Sequence, residues 1–120
     1  MTVIPFGYEM VNRNAVVIKP KQPFFDWLNA TETGDSEPIT SLDENNVYLV
    51  RNRDDNDQVR RWVKKHFEPL FANELNDWSI DESVWPQNRT YQMFTEWFHV
   101  EVHSMVLDLE AGPLDKEADY

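Results

Sequence analysis

An apolar stripe at helical spacing runs through the middle of the chain. Apolar side chains recur every three or four residues, with charged residues between them: Val59, Trp62, Val63, Phe67, Leu70, Phe71, Leu75 and Trp78. This period predicts an amphipathic helix over 57–76 that buries one face. Pro69 falls inside it, and a proline within a helix removes a hydrogen bond and collides with the preceding turn. We therefore expect a kink or a break near Glu68, with a second helical piece beginning around Pro69.

Three stretches have the composition of short β-strands. Residues 15–19 and 46–51 contain short continuous apolar runs, β-branched in the first, a pattern typical of strands that are buried on both faces. The helix and loop expected between them are compatible with a parallel crossover. Residues 98–109 begin with alternating apolar and polar side chains and end in a continuous apolar run. This predicts a strand that begins with one solvent-exposed face and is buried on both faces in its second half. The alternative is one continuous helix over 91–109, whose apolar residues also fit helical spacing, and we favour the strand.

The remaining segments complete the predicted fold. Short helices are expected over 23–30 and 90–97, where aromatic residues recur at helical spacing. A long polar loop is expected over 29–45 and a frayed acidic tail over 110–120. We therefore predict a single α+β domain over 1–120, with a small mixed three-stranded sheet packed against one long helix and two or three short helices.

The charge balance excludes whole classes of partner. Eleven Lys and Arg residues against 22 Asp and Glu residues give a formal net charge of −11. Such a chain is repelled by nucleic-acid phosphates and by anionic membranes, and no apolar run approaches the roughly 20 residues of a membrane span. The chain has no cysteine, which excludes disulfides, thiolate catalysis and cysteine-ligated metals. We expect a cytoplasmic protein that binds neither nucleic acid nor membrane.

One segment departs from this acidity. Residues 51–65 hold six basic and three acidic side chains, a local charge of +3. Four of the basic residues fall on the predicted long helix: Arg60, Arg61, Lys64 and Lys65. They are candidates for docking a phosphate or an acidic protein. The alternative, which we favour because charge runs usually mark exposed helix faces, is a solvated helix flank.

The loop around Trp85 is a second candidate for partner binding. Trp85 is followed by a proline, by Asn88 and by Arg89, and together they supply the amphipathic ring, rigid turn and cation of a recognition loop. The alternative, which we favour, is a loop pinned to the core by Trp85, with Asn88 capping the next helix. Helical spacing places Trp62 and Trp78 in the core, whereas no periodicity constrains Trp85.

His99, Glu101 and His103 form the sharpest candidate for a chemical site. In a strand, these alternate residues project from one face. Two imidazoles and a carboxylate are apt ligands for zinc or a non-haem metal, and a water bound there could become a nucleophile near neutral pH. The alternative is an exposed polar strand face, and the sequence identifies no fourth ligand.

Other catalytic signatures are missing from the sequence. It has no GxSxG, P-loop or dinucleotide-binding motif, and only three glycines from which to build a phosphate-binding loop. We therefore predict a non-enzymatic domain, without a cofactor, that binds another protein. A small metal-dependent enzyme using His99, Glu101 and His103 is the alternative.

Several strings occur together that resemble a known family. They include residues 16–24 (VVIKPKQPF), 47–50 (VYLV), 85–89 (WPQNR), 96–98 (EWF) and 103–106 (HSMV). These strings resemble a family of short acidic bacterial proteins of unknown function. The similarity covers most of residues 14–109, apart from the loop at 29–45. The resemblance implies a bacterial, cytosolic origin and brings no activity, substrate or catalytic residue to this chain.

Overall fold

A three-stranded antiparallel sheet is the centre of the computed structural model, which describes residues 7–31 and 37–117. In spatial order its strands are β3 (Asn46–Arg51), β2 (Arg13–Pro20) and β4 (Phe98–His103). A shorter pair, β1 (Glu9–Met10) and β5 (Leu107–Asp108), forms a second sheet. The α+β class of a single small domain is confirmed, as are the strands expected at 15–19 and 46–51.

The pairing of β2 with β3 differs from the predicted parallel crossover. Asn46, the first residue of β3, lies opposite Ile18, near the end of β2. The connection through α1 (Gln22–Thr31) and the following loop therefore returns the chain to the end of the sheet where β2 stops. Consequently β3 runs antiparallel to β2, and the expectation of a mixed sheet was wrong. Asn29 holds the loop against α1, since its side chain exchanges two hydrogen bonds of 2.8 Å with the backbone of Ile39.

Helices pack against one face of this sheet, which we call the inner face. Besides α1, the described residues form α2 (Asn56–Lys65), α3 (Phe67–Asn76), α4 (Tyr91–Trp97) and a 3₁₀ turn (Glu82–Val84). The largest fully buried side chains are Phe24, Phe71, Phe94, Phe98, Ile18, Leu28, Leu75, Val16 and Val59. Phenylalanine rings therefore supply much of the core volume. No helix in the described ranges has the length and apolar character that crossing a membrane requires.

The predicted long helix over 57–76 is in fact two helices, α2 and α3, that meet at His66. The break therefore comes earlier than the expected position near Glu68. Pro69 is the third residue of α3, where a backbone N–H has no partner within the helix, so proline is tolerated there and the break precedes it. His66 closes α2, because its Nδ1 lies 2.8 Å from the carbonyl oxygen of Trp62 and its ring stacks on the Trp62 indole.

The segment 98–109 begins as the strand β4, as expected, and not as a helix. It leaves the main sheet after His103, and β5 pairs with β1 in a two-stranded arm. The expected burial of its second half on both faces was wrong, since Met105 and Leu107 are exposed. The cause is that β5 pairs with only two residues of β1 and not with the sheet whose inner face the helices cover.

Candidate functional site

The outer face of the sheet, opposite the helices, carries the predicted metal ligands. His99, Glu101 and His103 share this face of β4, as expected of a strand. Nε2 of His103 lies 3.3 Å from Oε2 of Glu101, and Nε2 of His99 lies 3.9 Å from Oε1. Lys19 of β2 already pairs with this carboxylate, with its Nζ 2.8 Å from Oε1. The hydrogen bond from Lys19, followed by that from His103, lowers the pKa of Glu101.

This arrangement is an ion-paired polar face. The ammonium group of Lys19, bound to Glu101, occupies the position at which a cation would bind. Within the part of the chain that the structure describes, no group of three or more His, Cys, Asp or Glu side chains is arranged to hold a metal ion. The geometry therefore adds nothing in favour of the metal hypothesis.

The predicted basic docking residues lie on α2. Two of them are engaged within the chain: Arg60 Nη1 donates to the carbonyl oxygen of Val100 at 3.3 Å, and Lys64 Nζ lies 5.4 Å from the centroid of the Tyr91 ring. Arg61 and Lys65 are exposed. Lys64 and Lys65 stand in the last turn of α2, where cations interact favourably with the helix dipole. These positions suit the solvated helix flank, and partner binding through them stays a prediction.

The Trp85 loop is pinned to the core. Trp85 is only 7 % exposed, and its Nε1 donates to the carbonyl oxygen of Ser79 at 2.8 Å. The Arg89 guanidinium lies 5.7 Å from the centroid of the Trp85 ring, donates to the carbonyl oxygen of Pro86 at 2.9 Å and pairs with Glu68. Trp85 and Arg89 are therefore occupied within the chain, which suits the pinned loop, and partner binding through them stays a prediction.

Two smaller expectations for this region also need correction. Asn88 does not cap α4. It takes a positive φ of 56°, while Thr90 precedes the helix and its Oγ1 accepts from the backbone N–H of Met93 at 3.1 Å. Trp78, expected in the core, is 40 % exposed. The reason is that α3 ends at Asn76, so the helical spacing that aligned Trp78 with the apolar stripe no longer applies.

The outer face also carries an apolar surface that we call the outer strip, formed by Val47 and Leu49 of β3 beside Val17 and the largely covered Ala15 of β2. Val47 is 59 % exposed and Leu49 is 51 % exposed. An antiparallel sheet with one solvated face ordinarily carries polar side chains on that face. On β3 two of the three outward positions, those of Val47 and Leu49, are apolar instead. Large exposed apolar patches mark interaction surfaces, so the outer strip is a candidate for one.

A pair of arginines borders the outer strip. Arg13 and Arg51 lie directly opposite each other on β2 and β3. Like charges facing each other across a strand pair are destabilising. Among the described residues, no acidic side chain forms an ion pair with either arginine. On a chain with a net charge of −11, this end of the sheet is a local excess of positive charge.

Near the other end of β3, α3 contributes a buried carboxylate. Glu74 is 5 % exposed. Its Oε2 accepts from Asn46 Nδ2 at 2.5 Å and from the Tyr48 hydroxyl at 2.7 Å. Asn46 Nδ2 also donates to Asp77 Oδ2 at 2.6 Å, so two carboxylates converge on one amide nitrogen. Asn73 Nδ2 completes the cluster by donating to the Tyr48 hydroxyl at 2.7 Å.

Burial is the main cause of the raised pKa of Glu74. The hydrogen bonds from Asn46 and Tyr48 lower that pKa, and repulsion from Asp77 raises it further. The pKa of Tyr48 is also raised, chiefly by burial, so Tyr48 stays protonated and keeps donating. The cluster therefore holds acidic charge in a poorly solvated place, with only neutral donors facing it.

We expect Glu74→Gln to gain stability over the natural protein as pH rises. A carboxyl with a raised folded-state pKa stabilises fully below its unfolded value, near 4.5, and that stability is lost as pH rises through the folded pKa. Glutamine has no such loss, and its carbonyl oxygen can still accept from Asn46 and Tyr48. Denaturant unfolding across a pH series measures the difference. Glu96→Gln, on the exposed surface of α4, is the matched control, and a pH-independent difference for Glu74→Gln would contradict the expectation.

Sequence reasoning missed both the outer strip and the Glu74 cluster. One signal was present, since Glu74 falls on the apolar stripe of α3, next to Leu75 and three residues after Phe71. The chain matches no protein-family model, no curated protein and no solved structure. The assignment of a function therefore depends on the chemistry of these surfaces.

Proposed function

We propose that this protein is a non-enzymatic protein-binding domain that docks through the outer strip. The observation that carries the proposal is the exposure of Val47 and Leu49 on a strand whose sequence is apolar on both faces. The helices of the chain cover the inner face, and a partner would cover the other. Burial of two such side chains contributes about 1.5–3 kcal/mol each when complete, which is enough to anchor an interface.

The partner would present carboxylates beside an apolar surface. Arg13 and Arg51 face each other without an ion pair to a described acidic side chain, and a carboxylate from outside would relieve their repulsion. A second copy of this chain is a poorer fit, because its outer strip offers no carboxylate to meet the arginines. Local charge complementarity at the two arginines therefore favours a different protein that places carboxylates there.

The setting we propose is the bacterial cytoplasm. The lack of cysteine is consistent with a reducing compartment, and the resemblance to short acidic bacterial proteins supports the same location. The net charge of −11 argues against nucleic acid and anionic membrane as partners.

The test begins with a binding partner isolated on the immobilised protein, identified and then purified. Calorimetry would compare its affinity for the natural protein and for two variants of the proposed surface, Leu49→Glu and Arg51→Glu. Each has a control with the same charge change elsewhere: Ile80→Glu, also at an exposed apolar residue, and Arg61→Glu on α2. Circular dichroism would establish that all four variants are folded.

We expect Leu49→Glu and Arg51→Glu each to weaken binding by about tenfold or more, as for a lost anchor or charge-assisted hydrogen bond. Ile80→Glu and Arg61→Glu should leave it within about twofold. Loss of binding on Arg61→Glu but not on Arg51→Glu would move the docking surface to α2 and overturn the proposal. A dimer in light scattering that Leu49→Glu dissociates would replace the acidic partner with a second copy. Stoichiometric bound metal lost on His103→Ala would favour the metal-dependent enzyme instead.

A further inference from the structure

A groove with acidic walls opens beside the Glu74 cluster, away from the outer strip. It has a volume of about 850 Å³, within the range of small-molecule sites. Its lining includes four carboxylates, those of Asp43, Glu44, Glu74 and Asp77. We call it the acidic groove. No lysine, arginine or histidine lines it, and no described residue forms an ion pair with any of the four carboxylates.

Glu74 offers one oxygen to the acidic groove. Both of its hydrogen-bond donors, Asn46 and Tyr48, bind Oε2, and no described residue donates to Oε1. No polar side-chain atom sealed inside the described part of the chain lacks a partner. Oε1 is therefore not sealed from solvent, although the side chain as a whole is buried and Glu74 lines the groove. Because no described side chain donates to it, this oxygen is available to accept a hydrogen bond from a ligand in the groove.

The acidic groove has an apolar wall as well as charge. Phe24, Leu42 and Trp78 line the acidic groove, and Trp78 is the exposed member of the three. Tryptophan offers the most favourable aromatic face to an organic cation. A ligand that satisfies both walls carries positive charge at one end and a stem of carbon atoms behind it.

The same features disfavour a bare metal ion. No described group of His, Cys, Asp or Glu side chains is arranged to hold one. Two of the four carboxylates, those of Glu74 and Asp77, both accept a hydrogen bond from the amide nitrogen of Asn46. An amide nitrogen donates hydrogen bonds and does not ligate hard cations. The volume also far exceeds that of an ion.

We propose that the acidic groove binds an organic cation, an ammonium or guanidinium group on an apolar stem, with Glu74 and Asp77 receiving the charged head and Trp78 covering the stem. Two sources share this chemistry. One is a lysine or arginine side chain of a polypeptide, and the other is a free alkylamine. The site lies apart from the outer strip, so it stands or falls independently of the proposed docking function.

The test is calorimetric titration of the full chain with four defined probes. They are N-acetyl-arginine amide, N-acetyl-lysine amide, cadaverine and, as the neutral counterpart of the lysine probe, N-acetyl-norleucine amide. The variants are Glu74→Gln, Asp77→Asn and Trp78→Ala. Asp54→Asn removes the same charge beyond the opposite end of β3 and serves as the control. Asp77 is exposed, so its variant keeps the test valid if Glu74→Gln disturbs folding.

We expect one equivalent of a cationic probe to bind saturably and the norleucine probe not to bind. Glu74→Gln and Asp77→Asn should each weaken binding by about tenfold or more, as for a lost charge-assisted hydrogen bond, while Asp54→Asn changes it by less than about twofold. Tighter binding of the amino-acid amides indicates a polypeptide ligand, and tighter binding of cadaverine a free amine. Absence of saturable binding, or equal weakening by Asp54→Asn, would overturn the proposal, because only general charge attraction would remain.

Discussion

Replacing Phe71 with alanine is expected to lower the free energy of unfolding by about 3–5 kcal/mol. Phe71 is fully buried on α3. Its ring centroid lies 5.4 Å from that of Trp97 and 5.3 Å from that of Phe98. One side chain thus joins α3 to α4 and to β4, and its removal leaves a cavity that three elements would have to fill.

Denaturant unfolding followed by circular dichroism measures this loss. Phe71→Leu, which retains much of the volume, should cost less than half as much. Ile80→Ala is the control for an exposed apolar side chain and should leave stability nearly unchanged. A loss below about 1 kcal/mol for Phe71→Ala would show that this ring is not central to the core.

Trp85→Ala is expected to cost about 3–5 kcal/mol, although Trp85 lies outside the helices and strands. The substitution removes a buried indole, its hydrogen bond to the carbonyl oxygen of Ser79 and its contact with Arg89. It also exposes the apolar surface beneath the loop. The effect is therefore on stability, as the pinned loop predicts.

Trp78→Ala is the matched control, because it deletes the same side chain from a position that is far more exposed. We expect it to cost less than half as much as Trp85→Ala in the same unfolding measurement. If Trp85→Ala left stability unchanged, the pinning contacts would carry little energy, and a role for Trp85 at a partner surface would return.

Most elements of this fold could be predicted from local periodicity. The helical stripe, the short continuous apolar runs and the alternation after Phe98 each produced the expected element, because helix and strand place apolar residues at different repeats. The break between α2 and α3 was also expected, with Pro69 as its cause. Its position shifted to His66 because the first turn of a helix tolerates proline.

The relative direction of strands could not be predicted in the same way. The pattern of side chains along β2 and β3 is the same whether the two run parallel or antiparallel. Direction depends on where the connecting loop releases the chain, which here is beside the end of β2. The exposure of Trp78 was mispredicted for a related reason, since its burial depended on where α3 stops.

The candidate surfaces were harder still to predict. Glu74 and Asn46 are 28 positions apart, and only the packing of α3 beside β3 brings them together. Arg13 and Arg51 are even further apart in the sequence, and the register of β2 and β3 places them opposite each other. By contrast, His99, Glu101 and His103 share a face through local spacing alone. Their alignment was predictable, but the intervening ammonium of Lys19 was not.

The strand order has a consequence for biosynthesis. β2 occupies the middle of the sheet, yet one of its neighbours, β4, comprises Phe98–His103. A ribosome adds residues from the amino terminus at about 5–20 per second, so the second edge of β2 stays unpaired until residues 98–103 have been synthesised. Until then the β2 edge that includes Val16 and Ile18 has no partner strand. Nascent chains truncated before Phe98 should therefore be prone to aggregation and to binding by chaperones.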